Sequence, residues 1–264
     1  MDIHRSSSSL EYPAVGTRSP FSFSKPTLAM TFGGSEKLVE LAKRLRQENR
    51  YHNLDANVSV SNSRAHESQS AVEPIQRNRA AVLICLFEDQ NGDLRVILTR
   101  RSSKLSSHSG EVALPGGKRD ENDSDDVDTA LREAHEEIGL NPSMVEVVAV
   151  LEPFHTRINI AVVPVVGVIW DKRAFNPTLN AAEVESVFDA PLEMFLKDEN
   201  RRQEEQDWKG HKYFRHFFDH RIENETYVIW ALTAGILIKA ASVVYQRPPS
   251  FEERRPPFWS IRNR

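Results

Sequence analysis

GEVALPGGKRDENDSDDVDTALREAHEEIGL (Gly110–Leu140) joins two unlike signals, and the second of them points to the fold. From Asp126 onward, Val127, Ala130, Leu131, Ala134 and Ile138 recur three and four residues apart, which predicts an amphipathic helix over 126–138. Glu133, Glu136 and Glu137 fall together on a neighbouring face, because positions three and four apart are neighbours on a helix. Gly139 follows at once as a helix stop. Left to itself, this arrangement is electrostatically poor. Each like-charged neighbour pair costs about 0.2–0.5 kcal/mol. The last turn of a helix also favours cations over anions, by about 0.3–1 kcal/mol. Arg132 offsets part of this. Two readings follow: a solvated acidic face, or a site for a divalent cation, which would reverse the sign of both effects. All-oxygen ligands suit Mg²⁺ or Mn²⁺.

The first signal is LPGGK. Gly116 and Gly117 follow Pro115, and paired glycines let the backbone approach a ligand and turn N–H or C=O groups towards phosphate or metal. A tight turn is the plain alternative. Upstream, RAAVLICLF and LRVILTR predict two strands, with Asn91-Gly92 in EDQNGD as the hairpin turn. Val145–Leu151 and Ile160–Trp170 predict further strands, the second interrupted at Pro164 and Gly167. Val184–Phe188 reads as a strand leading into a helix over DAPLEMFLKDENRR. Tyr213–Phe218 and Thr226–Trp230 read as extended, and Ala231–Tyr245 as helical. Strands and helices mix without a strict βαβ rhythm, so an α+β domain layered as α/β/α is expected.

The rest of the chain sets the boundaries. Residues 1–33 form a leader. Its first 29 residues hold Arg5, Arg18 and Lys25, many Ser and Thr, and only Asp2 and Glu11 as acids. That is the composition of an organellar transit peptide or of a disordered leader. Residues 34–74 read as a short helix over Gly34–Gln47, N-capped by Ser35, and then a linker rich in Ser and Asn over Asn53–Ala71. The compact domain is expected over 75–258, with a tail at 259–264. A net charge of −4 argues against a nucleic-acid binder. The apolar run Tyr227–Ile238 is shorter than the ~20 residues that span a bilayer, so no membrane partner is expected. The single cysteine, Cys85, lies in an apolar run and reads as core. His211, His216 and His220 sit in an aromatic strand, and Trp230 and Trp259 read as packing residues. The sequence leaves the oligomeric state open.

Taken together, LPGGK and REAHEEIG resemble the Nudix box, G-x5-E-x7-R-E-U-x-E-E-x-G-U with U apolar. Gly117 matches its opening glycine, and Arg132 through Leu140 match its whole second half. Asp123 stands at the first acidic position, with one extra residue between it and Arg132. ILTRRSSKLSSHSGEVALPGG (Ile97–Gly117) further resembles the segment ahead of the box in coenzyme A-cleaving members, plant forms included. Ser106 replaces an arginine of that pattern, for which Lys104 is a substitute, and Leu114 replaces a phenylalanine. The likeness covers about Arg79–Phe258. It implies a Nudix-type α/β/α sandwich with a mixed central sheet, acting as a metal-dependent pyrophosphohydrolase. Glu133, Glu136 and Glu137 would bind Mg²⁺ or Mn²⁺ with the Gly116 carbonyl, and Arg132 would hold one of those glutamates. Glu183, with Glu185 in reserve, would be a further carboxylate. Arg101, Lys104, Gly116, Gly117 and Lys118 would bind an anionic small-molecule substrate. Coenzyme A and acyl-CoA are the expected substrates, with ADP-ribose, NADH or oxidised nucleotides as the broader alternative and a non-catalytic nucleotide sensor as the other class. Mitochondrial and cytosolic forms both occur in the plant group, and the leader favours the mitochondrion.

Overall fold

The computed structural model describes residues 35–61 and 78–260. The leader, the linker beyond Ser61 and residues 261–264 lie outside the described residues. The first helix, α1 (Glu36–Ser61), begins as expected, with the Ser35 hydroxyl accepting the Leu38 N–H at 3.2 Å. It runs well past Gln47, however, through the start of the expected linker. Polar composition there removes an apolar face but not the capacity to extend a helix already nucleated.

The hairpin forms from β1 (Arg79–Glu88) and β2 (Leu94–Arg101). There follow β3 (Val112–Ala113), β4 (Gly116–Lys118), α2 (Asp126–Ile138), β5 (Glu146–Val150), β6 (Phe154–His155), β7 (Ala161–Val168) and β8 (Val184–Pro191). These eight strands make one sheet. Its main path is β3-β2-β1-β7-β5, with β4 added to β1, β6 to β7 and β8 to β2. β1 and β7 run parallel and the other pairs antiparallel, so the sheet is mixed. A smaller sheet holds β9 (Arg201–Trp208), β10 (His211–Ile222) and β11 (Glu225–Trp230), and α3 (Ala231–Tyr245) follows.

Alternation along β1 sorts the core into two layers. Ala81, Leu83 and Cys85 pack with Ala130, Ala134 and Ile138 of α2. Ile84 and Leu86 pack with Leu38 and Leu45 of α1 and Ile238 and Ala241 of α3. The layering is therefore α/β/α, and α2 alone covers the face that carries the carboxylates. Burial pushes the Cys85 thiol up to about 12, which suits a core residue. Among the described residues, no helix is long and apolar enough to cross a membrane.

Three local expectations need correction. β7 continues through Pro164 and Gly167. The Pro164 carbonyl still accepts from Leu151, and a side chain at Gly167 would meet Val145 Cγ1 at 2.4 Å, so close packing explains the glycine. The helix expected after Val184–Phe188 is absent, because pairing with β2 carries β8 as far as Pro191. Only a short 3₁₀ turn, Leu192–Leu196, follows it. Arg201 and Arg202, the end of that expected helix, instead open β9. It is a charged, exposed strand held by pairing to β10, so it carries little apolar pattern.

Candidate functional site

α2 is fixed at both ends by its own sequence. The Asp125 side chain accepts the Val127 and Asp128 N–H groups, each at 2.9 Å. Gly139 closes the helix in the left-handed region at φ 70°. The last two turns therefore hold Glu133, Glu136 and Glu137 in a set orientation against β4.

Glu137 is the most buried of the three, at 3% exposure. Its Oε2 accepts the Gly116 N–H at 3.1 Å. Burial pushes its carboxyl up to about 7, helped by Glu133 and Glu183, while Gly116 and Arg101 pull the other way. Burial likewise raises Glu133, with Arg132 opposing and Glu136 and Glu183 adding repulsion. Glu183, just before β8, thus faces Glu133 and Glu137. Its position is set by the Ser102 N–H, which donates to the Glu183 carbonyl at 2.8 Å. Glu185 is exposed and pairs instead with Arg100 at 3.9 Å.

Arg132 joins the acids. Nε and Nη2 bind Asp123 bidentately at 2.8 and 2.9 Å. The same guanidinium reaches Glu136 Oε2 at 2.9 Å and Glu133 Oε1 at 3.0 Å. It also donates to the Lys118 carbonyl at 3.1 Å. Asp123 accepts further from Thr129 Oγ1 and from the Asp120 N–H. The residue whose identity departs from the family pattern therefore anchors the arginine. Thr129 completes that anchor, and only its place one turn ahead of Arg132 hinted at it. Ser102 fits the pattern ahead of the box, but that fit gave it no role.

The glycines are needed for space. A Cβ on Gly116 would lie 2.3 Å from the Ala81 carbonyl oxygen, and the residue sits at φ +152°. A Cβ on Gly117 would lie 2.6 Å from the Glu133 carboxyl. That carboxyl is the end of a flexible side chain, so Gly117→Ala should leave the fold intact and displace Glu133. We expect kcat to fall roughly 10- to 100-fold, the range for disturbing a residue that orients a metal ligand. Steady-state kinetics beside a thermal melt would check this, and unchanged kcat would show that Glu133 has room to spare.

The expected substrate-binding cations are not all brought together. Arg101 lies near Glu137, and its Nε is buried without a hydrogen-bond partner among the described residues. Lys118 is exposed on β4, beside the glycines. Lys104 is exposed in the β2–β3 loop, with its backbone N–H on Ser102 Oγ. Arg95 pairs with Asp189 and Asp89 at the hairpin end, away from the glycines, and Arg100 pairs with Glu225. The three histidines of β10 form no cluster: His216 bonds Arg201, His220 faces the Asp189 carbonyl, and His211 is exposed.

Residues 77–216 match the family model of the NUDIX domain. The chain is 55% identical over 251 residues to Nudix hydrolase 22, chloroplastic, of Arabidopsis thaliana, covering 90% of this chain and 83% of that protein. To Nudix hydrolase 15, mitochondrial, of the same plant it is 61% identical over 197 residues, covering 72% and 69%. To a peroxisomal coenzyme A diphosphatase of Mus musculus it is 38% identical over 181 residues, covering 67% and 75%.

Proposed function

The chain belongs to the Nudix hydrolase family, and from that premise we propose that it is a metal-dependent pyrophosphohydrolase cleaving coenzyme A and acyl-CoA. Water would add to one phosphorus of the diphosphate as the P–O–P bridge breaks, giving 3′,5′-ADP and 4′-phosphopantetheine or its acylated form. The observation that carries this reading is the charge imbalance beside Gly116 and Gly117. Burial raises Glu133 and Glu137 there, repulsion among Glu133, Glu137 and Glu183 adds to it, and Arg132 is already committed to Asp123.

Among the described residues, no three His, Cys, Asp or Glu side chains already stand as a metal cage. The reason is visible: Arg132 holds Glu133 and Glu136, and the Gly116 N–H holds Glu137. The donor set still fits a hard divalent cation, being all oxygen, crowded and short of positive charge. Glu133, Glu136 and Glu137 would hold Mg²⁺ or Mn²⁺, with the Gly116 carbonyl and Glu183 as further donors. Such an ion supplies charge neutralisation at the diphosphate and lowers the pKa of bound water. The chain's own part is orientation: Asp123 fixes Arg132, which aligns Glu133 and Glu136. Arg101 and Lys118 lie within reach of an anionic substrate at the glycines, with Lys104 on the adjoining loop.

Substrate class rests on Ile97–Gly117 and on the relative named as a coenzyme A diphosphatase. The replacement of an arginine by Ser106 makes ADP-ribose and NADH the competitors to test. With Mg²⁺ present, kcat/KM for CoA esters should exceed that for ADP-ribose, NADH and oxidised dGTP, and EDTA should abolish all turnover. A reversed ranking would reject the CoA assignment while leaving the hydrolase. The two plant relatives carry organellar names, and we read residues 1–33 as a targeting leader, with the mitochondrion as first choice. Identical localisation of the full chain and of one starting at Met30 would reject that.

A further inference from the structure

A second cavity, of about 200 Å³, lies away from the carboxylates. Its walls include Tyr213, Phe214, Leu232, Phe258 and Trp259, with Arg157 on the β6–β7 turn. No carboxylate lines it. Ile158, next to Arg157 on that turn, is 75% exposed. His216, 5% exposed, also lines the cavity. Its Nδ1 lies 3.0 Å from Arg201 Nη1, a group that can only donate, so Nε2 carries the proton. That Nε2–H has no partner among the described residues. A buried donor left unpaired is costly, so an acceptor supplied by a ligand would be favoured. The cavity is too small for a whole substrate, for which pockets run about 300–1,000 Å³. It suits one end of one.

Distance decides which end. Lys118 beside the glycines pairs with Ala80, Ala80 with Val162, and Val162 with Phe154. Three strand spacings of about 4.8 Å put Phe154 roughly 14 Å from β4, and the turn at Arg157 lies a few Å farther. A second tether comes through α3, where Thr233 Oγ1 donates to the Val112 carbonyl at 3.2 Å, next to the cavity wall at Leu232. In CoA, only a ribose separates adenine from the diphosphate. The pantetheine arm contributes about a dozen bonds, which at extended-chain advance reach about 15 Å. With the P–O bond at one end and the thioester at the other the arm extends roughly 3 Å more, as far as the turn at Arg157, whereas the adenosine end falls short of it.

We propose that this aromatic cavity holds the acyl end of an acyl-CoA whose diphosphate lies at Gly116–Gly117, with His216 Nε2–H available to the thioester carbonyl. The inference rests on the CoA reading above. Its test is a KM series on the full-length enzyme with Mg²⁺, using CoA and acyl-CoAs from acetyl to dodecanoyl. Each methylene buried should lower KM by roughly fourfold until the cavity is full. Leu232→Trp, which fills the cavity, should raise KM for hexanoyl-CoA at least tenfold and leave KM for CoA within twofold. Phe258→Ala, which widens it, should move the preferred chain length upward. If both variants change CoA and hexanoyl-CoA alike, or change neither, the cavity is not an acyl site, although CoA turnover would still stand. If the wild type cleaves no CoA species, the CoA reading itself falls and takes the acyl site with it.

Discussion

Glu136→Gln should lower kcat by at least about 10²-fold and leave the melting temperature within about 2 °C of wild type. The two halves of this expectation come from different features of one residue. Glu136 is the outermost of the three acids, its side chain 53% exposed. Its one partner among the described residues is Arg132, four residues back on the same helix, and such exposed pairs contribute little to stability. Arg132 keeps Asp123 and Glu133 when Glu136 is neutralised, so no buried charge is orphaned. Catalysis is another matter. An amide has nearly the shape of a carboxylate but brings no negative charge to a divalent ion. Metal stabilisation of a phosphoryl transition state amounts to several kcal/mol, and each 1.36 kcal/mol is tenfold in rate. Losing even half of it is a hundredfold effect. Kinetics at saturating Mg²⁺ beside a melt would decide. Wild-type kcat in this variant would remove Glu136 from the metal site and leave Glu133, Glu137 and Glu183 as its candidates. A non-catalytic sensor would show no turnover in the wild type to begin with.

Some of this was legible in the sequence because local physics alone decided it. α2 spans 126–138 as its apolar spacing predicted, since its period and its glycine stop act within a few residues. The β1–β2 hairpin and α3 were legible for the same reason. What could not be read was decided by pairing partners far along the chain. β9 has no apolar rhythm and exists because β10 lies beside it. β8 keeps going past Phe188 because β2 is there to pair with it. In the site, residue types and spacing named the acids, but not their inequality. The sequence shows three glutamates alike, while the fold buries Glu137, half-buries Glu133 and leaves Glu136 exposed. It likewise could not sort the arginines: Arg95 and Arg101 lie on one strand, yet Arg95 is spent on Asp189 at the far end of it.

Asp123→Asn is the second large effect, and it should damage stability and turnover together. Asp123 is 8% exposed and receives two donors from Arg132, one from Thr129 and one from the Asp120 backbone. An asparagine has one acceptor oxygen and presents N–H groups to whichever donors it cannot serve. The Arg132 guanidinium, with Thr129 and the Asp120 N–H, holds the Asp123 carboxyl down at about 2. Against the ordinary 3.8 for an aspartate, that depression corresponds to about 2 kcal/mol of folded-state preference for the charged form. Because the folded pKa is the lower one, this stability is fully present above pH 3.8 and is lost as pH falls towards 2. At pH 7 the variant should therefore melt roughly 4–8 °C below wild type, at about 2–4 °C per kcal/mol for a chain of this size. Below pH 4 the gap should narrow, because the unfolded wild-type chain takes up a proton at Asp123 while the folded one keeps the carboxylate until pH nears 2. Activity should fall about 10- to 100-fold, because a freed Arg132 no longer aligns Glu133 and Glu136. Urea midpoints at pH 7 and pH 3.5, with kcat at pH 7, would test both halves. Equal midpoints at pH 7 would show that the ion pair contributes nothing to the fold. A lower midpoint with unchanged kcat would show that Arg132 does not transmit order to the acids. The expected outcome, loss of both, would explain how this loop tolerates one extra residue and a shorter acid at its first position: Asp123 still reaches Arg132 with both carboxylate oxygens.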